Sequence, residues 1–205
     1  TIAVQNDVPT IGMAEEYAPV TATVVEDALS TAVEPSDNSE GNLDLGQTTA
    51  DDEAAGLAGS LASLITVSDG ADEPASVTFG LLTDTSGLPD LYSKGELVAY
   101  AVVGNTLTAT AHGDTIFTLT VNADGSWSFD LEDQLDHVDT DSDTTTALVT
   151  GESTSVNAID FSSIVTATVT DADGDTNTLN GLDANAFTIA VQNDVPTIGM
   201  AEEYA

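Results

Sequence analysis

Residues 1–18, TIAVQNDVPTIGMAEEYA, return without a single change as residues 188–205. Chance does not reproduce 18 consecutive positions, so the chain carries one period of a tandem array, 187 residues long (188 minus 1). A unit of this size can bury its own core and needs to meet its neighbours only at its ends. Thr1 is therefore expected to be an internal position of a longer chain. The junction QNDVPT occupies residues 5–10 and again 192–197. Pro9 and Pro196 stiffen it and hold Val8 and Val195 extended. The junction is too brief for a floppy tether, and its Asn6, Asp7, Asn193 and Asp194 supply either turn caps or oxygen ligands for a cation. The expected division is a linker at 1–9, a module at 10–192, and a linker plus the start of the next repeat at 193–205.

Period-two patterning dominates within the module. Phe117, Leu119 and Val121 alternate with threonines, and Trp127, Phe129 and Leu131 alternate after an Asn122-Ala-Asp-Gly125 turn. Gly104-Asn105 joins LVAYAVV to TLTATA with the chemistry of a tight hairpin. Further strands are expected at 21–26, 61–67, 76–82, 163–170 and 186–192. Residues 28–59 and 132–160 read as long loops, the first with a helical turn near its end. About nine strands with Gly/Asp/Asn turns predict an all-β fold, an antiparallel immunoglobulin-like β-sandwich. If each connection reverses direction, strand parity places the turns at 68–73, 122–125 and 170–177 at the pole of Asn6 and Asp7. It places Glu26 and Asp27 at the opposite pole, beside Asn193 and Asp194.

Charge narrows the partners. The 205 residues hold 36 acidic side chains against one basic one, Lys94, for a formal charge of −35. Nothing is available to displace counterions from a nucleic acid or to draw the chain to an anionic membrane, so neither partner is expected. Metal cations are the first candidates. With 41% hydrophobic residues the chain is not of disordered composition, and a fold that needs cations to relieve self-repulsion fits both numbers. The same acid excess also keeps proteins soluble in high salt. Cysteine is absent, which excludes disulfides and thiolate metal sites.

Among the acids, Asp171-Ala-Asp173-Gly-Asp175 carries the best local signal. Carboxylates two apart on a turn can converge on one Ca²⁺, which takes about 6–8 oxygen ligands. It is not an EF-hand loop, because Thr176 stands where that loop needs Gly and Leu182 where it needs Glu. The same sequence also suits a plain hairpin turn. Glu26-Asp27 and Asp69-Gly-Ala-Asp72 are further candidates, each equally readable as a solvated strand end or turn. Asn122–Gly125 is most simply hairpin chemistry, and Asp136, Asp139, Asp141 and Asp143 a solvated loop. Catalysis has little support: His112 and His137 form no motif, and no phosphate-binding loop is present. No enzyme activity is expected.

Several stretches resemble a known family. TIFTLTVNADGSWSFDLEDQLDHVD, VTATVTDADGDTNTL and FTIAVQNDVPT, with TATVVEDAL and GSLASLITVSDGADEPASVTFGLL, are similar to the extender repeats of giant RTX adhesins (type I secretion target and VCBS-like, cadherin-like repeats). The resemblance spans most of residues 20–197. It implies an extracellular spacer, monomeric in isolation, whose partners are adjacent repeats of its own chain. Such repeats are stacked between a cell-anchored end and a distal adhesive end, and secreted unfolded from calcium-poor cytosol by a type I system. It also implies Ca²⁺ at the joints, matching Glu26, Asp27, Asn193, Asp194 and the 171–175 turn. Residues 34–53 are poorer in Gly and Asp than the family's loop, and no calcium site is expected there. The alternative is a module that itself binds a glycan or protein, but only 5% of residues are aromatic and Phe117, Trp127 and Phe129 fall on the buried phase of their strands.

Overall fold

The computed structural model describes residues 7–29, 41–138, 142 and 144–195. Asn6, Pro196, Asp139, Asp141 and Asp143 lie outside the described residues, as do much of the 28–59 loop and the outer parts of both junctions. In the first half the strands are β1 (Thr10–Met13), β2 (Val20–Val25), β3 (Glu53–Gly56), β4 (Ile65–Ser68) and β5 (Ser76–Leu81). There follow β6 (Tyr92–Ser93), β7 (Glu96–Leu97), β8 (Ala99–Val103), β9 (Thr106–Ala111), β10 (Asp114–Val121) and β11 (Trp127–Leu131). The last third holds β12 (Leu148–Gly151), β13 (Thr154–Val156), β14 (Ile159–Asp160), β15 (Val165–Thr170), β16 (Thr176–Asn180) and β17 (Phe187–Gln192).

The fold is an all-β sandwich. One layer is the sheet β3-β11-β10-β9-β8; the facing layer is assembled from β14-β17-β2 and β16-β15-β5. The alternation of β10 and β11 works as expected: Phe117, Leu119, Val121, Phe129 and Leu131 are essentially inaccessible, while the intervening Thr118, Thr120 and Ser128 face outward. Across the layers Phe161 meets Phe117 and Phe129 at ring-centre separations of 6.1 and 6.0 Å, and Trp127 meets Phe187 at 4.9 Å. Such pairs, mostly tilted or edge-on, stabilise beyond their burial.

Gly56 lies directly opposite Trp127, and a Cβ there would run into the indole, so only glycine lets β3 pair at that register.

The structure corrects several sequence expectations. Residues 61–64 form a 3₁₀ turn rather than a strand, because spacing three places both Leu61 and Leu64 in the core. Ser162–Ile164 does the same ahead of β15. The 132–160 connection contains the β12–β13 hairpin and β14, and the end of the 28–59 loop is the edge strand β3, not a helical turn. One pairing departs from the antiparallel expectation: β17 runs parallel to β2, from Phe187 against Val20 to Gln192 against Val25. Parallel neighbours need a long crossover, and here nearly the whole module supplies it. Both strands therefore leave toward the same pole.

Candidate functional site

β2 and β17 deliver their ends side by side. Directly after β2, Glu26 and Asp27 turn inward on a 3₁₀ turn, Glu26–Ala28, and are 4% and 1% exposed. The sequence leaves them readable either as cation ligands or as a solvated strand end. They are buried, and buried carboxylates need partners. Glu26 Oε1 accepts from the Leu135 amide at 2.7 Å, and Oε2 accepts from the Asp194 amide at 3.4 Å. His137 Nδ1 stands 3.6 Å from Oε2, but that ring faces the carbonyls of Leu135 and Val191, and burial pushes its pKa down. The Glu26 carboxyl is consequently pushed up to about 8, first by burial and then by the nearby Asp194 and Asp133 charges, which its two amide donors only partly offset.

Asp27 Oδ2 accepts from Gln47 Nε2 at 2.7 Å, while its buried Oδ1 has no hydrogen-bond partner among the described residues. The Asp194 carboxyl lies against that of Asp27, and its buried Oδ1 is equally without a partner. Burial, then this contact, then the charge of Asp44 push Asp194 up to about 6. Asn193 is fixed beside it by its amide on the Thr145 carbonyl, 2.9 Å. The structure thus brings Glu26, Asp27 and Asp194 together, with Asn193 adjacent in the chain. It also adds Gln47 and Asp44 from the loop in which the sequence suggested no site. Two opposed carboxyls with orphaned oxygens in one buried place suit a hard cation, which neutralises both and fills both lone-pair sites.

The opposite pole gathers the other candidates. Asp171 is 6% exposed; its Oδ1 accepts from the amides of Gly174 at 3.0 Å and Asp175 at 2.8 Å, closing the 171–175 turn, while its buried Oδ2 has no hydrogen-bond partner among the described residues. Carboxylate oxygens of Asp72, Asp171 and Asp173 all lie within 4.8 Å of one another. The Asp72 carbonyl accepts from the Ala172 amide at 3.1 Å, which ties the two turns together. Contact with the Asp171 carboxyl raises the pKa of the exposed Asp173. Three converging carboxylates, one of them with a buried free oxygen, form a donor set suited to Ca²⁺.

The remaining candidates at this pole lie outside that group of three and make hydrogen bonds of their own. Asp69 Oδ2 accepts from Ala75 N at 3.2 Å within its own loop, and Asp175 contributes its amide to Asp171. Asp7 Oδ2 accepts from Ala71 N at 2.7 Å, its carboxylate seated on Gly70, where a Cβ would strike it. Asn177 Nδ2 donates to the Pro9 carbonyl at 3.3 Å. The parity argument therefore places 68–73 and 170–177 beside Asp7 correctly. The 122–125 turn goes elsewhere: the Phe79 amide donates to Ala123 O, and Leu61 N donates to Gly125 O. The lone lysine was not singled out from sequence. Lys94 pairs with the buried Asp133 at 2.8 Å, and Asp136 accepts from the adjacent Gly95 amide.

A family of domains of unknown function (DUF5801) matches residues 37–183. The chain belongs to that family. The DUF5801 segment contains the Asp72–Asp171–Asp173 group and stops short of Asp7, Glu26, Asp27 and Asp194. Those residues come from the ends of the repeat, outside the matched domain. No curated protein matches the chain, and no solved structure does.

Proposed function

We propose that the protein is a calcium-stiffened spacer, an extender module of a large secreted bacterial surface adhesin, which holds a distal ligand-binding region away from the cell. The single observation that carries this reading is the placement of orphaned, buried carboxylate oxygens at both poles of a unit whose ends repeat. Without a cation, Asp27 and Asp194 repel where one module meets the next; with Ca²⁺ bridging them, the joint stiffens. Glu26, Asp27 and Asp194 would hold one ion, with Gln47 steadying Asp27 through its Nε2, and Asp72, Asp171 and Asp173 another, with water completing each shell. The burial of Phe117, Phe129 and Trp127 leaves no aromatic platform from these residues for a sugar, which favours a spacer over a directly adhesive module.

Extracellular sites bind Ca²⁺ at about 10⁻⁴–10⁻³ M. At roughly tenfold excess over Kd each site adds about 1.4 kcal/mol to folding stability. Two sites in a domain of this size should raise the melting temperature by about 5–10 °C. Calorimetric titration of two consecutive repeats with Ca²⁺, with melting and particle length measured before and after EDTA, tests the reading. A chain whose melting and length both ignore EDTA would rule it out.

A further inference from the structure

We infer that the joint aspartate belongs to two modules at once, its main chain held by the module it leaves and its carboxylate by the module it enters, so that a second copy of this chain docks directly onto the Asp194 pole. The inference rests on the tandem reading of the 18-residue repeat, but not on calcium.

The offset of 187 makes Asp194 the same residue of the repeat as Asp7, and Val195 the same as Val8. The structure therefore contains that residue twice, once departing and once arriving. Departing, its amide donates to Glu26 Oε2 and the preceding Asn193 amide donates to Thr145 O. Arriving, its carboxylate accepts from the amides of Ala71 at 2.7 Å and Val8 at 3.1 Å. Two residues later the Pro9 carbonyl accepts from Asn177, and β1 begins at Thr10. The amide serves the departing module and the carboxylate the arriving one; because the carboxyl also lies against Asp27 at the departing pole, its two oxygens are shared between the modules in the array.

A second observation points the same way. As Asp194, the residue has its carboxyl against Asp27 and a buried Oδ1 that meets no donor among the described residues; as Asp7, both of its oxygens accept an amide hydrogen, from Ala71 and from the neighbouring Val8. What the carboxylate lacks at one pole is what the other pole offers, namely the Ala71 amide above Gly70. Gly70 has φ +70° and no side chain, and both are needed for the carboxylate to sit there. Reach agrees. Only four residues separate the end of β17 at Gln192 from the next module's counterpart of Thr10, five chain steps of at most about 3.6 Å. The poles must abut within roughly 18 Å, which leaves no room for an independent linker.

The test uses a protein of two consecutive repeats, its amide hydrogen exchange read by NMR in EGTA and again in millimolar Ca²⁺. In the same molecule the joint Asp194 amide and the Ala71 amide of the following module should both be protected at least tenfold over unstructured chain. Asp194→Ala should release that Ala71 amide by about tenfold or more in both buffers, and the two modules should then tumble independently. Asp194→Asn, which keeps one acceptor oxygen, should give an intermediate loss. Free exchange of either amide in the parent protein would overturn the inference, as would Ala71 protection that survives Asp194→Ala. The calcium reading fails by a different sign, a melting temperature that ignores added Ca²⁺ while Ala71 still depends on Asp194.

Discussion

At the scale of single residues, the buried acids set the behaviour. Glu26 is held at about 8 in the folded chain against an ordinary 4.5, so folding favours its protonated form. That stability is whole below about pH 4.5 and is lost as pH climbs toward 8. In EGTA the melting temperature should therefore fall between pH 5 and pH 8, with Glu26 contributing on the order of a few kcal/mol. Glu26→Gln should flatten that slope, which thermal melts across the pH range would show directly. The other pole gives a cleaner separation of binding from folding. Asp173 is exposed, and its carboxyl meets the Asp175 amide of its own turn and the Asp171 carboxyl but no strand, so Asp173→Ala should weaken Ca²⁺ binding there by about tenfold, equal to about 1.4 kcal/mol. Its melting temperature in EGTA should stay unchanged. Calorimetric titration beside an EGTA melt checks both halves.

At the scale of elements, the pairing of β3 with β11 depends on a missing side chain. Gly56→Ala places a methyl group into the Trp127 indole, which must move off Phe187 or push β3 out of register. Overpacking of this kind costs about 1–3 kcal/mol, and Trp127 fluorescence should report the displaced ring before global unfolding. The 69–75 loop between β4 and β5 is a second case. It is held by Asp7 on Ala71 and by Asp69 on Ala75, so Asp7→Ala should raise exchange of the Ala71 amide while leaving the core strands protected.

At the scale of the whole molecule, −35 charges with one lysine make the folded state a problem of self-repulsion. Bulk salt and specific cations relieve it differently. Salt screens exposed charges beyond a Debye length of about 10 Å at 0.1 M, but reaches buried groups such as Asp27 and Asp171 poorly. Millimolar Ca²⁺ should therefore raise the melting temperature more than KCl at the same ionic strength. Molar KCl should compact the calcium-free chain without restoring the stiffness of a two-repeat protein. Scattering profiles in the two salts would separate a saline-adapted surface from a set of calcium sites.

Much of this was legible in the sequence. The alternation through residues 117–131, the hairpin at Gly104-Asn105 and the repeat at the two ends are local patterns, because side chains on a strand alternate and a turn depends on a few adjacent residues. Parity then brought Glu26 and Asp27 beside Asp194, since both flanking strands run the same way. The short strands β6, β7, β13 and β14 were not legible, because two or three residues carry no period and their pairing is set by neighbours already folded. The partners of the buried acids were not legible either. Gln47 reaching Asp27, Leu135 reaching Glu26 and Lys94 reaching Asp133 span 20, 109 and 39 residues of chain. Sequence fixes which acids exist and which strand each one follows. Which of them loses its water, and so needs a cation or a neighbouring module, is decided only when packing closes over it.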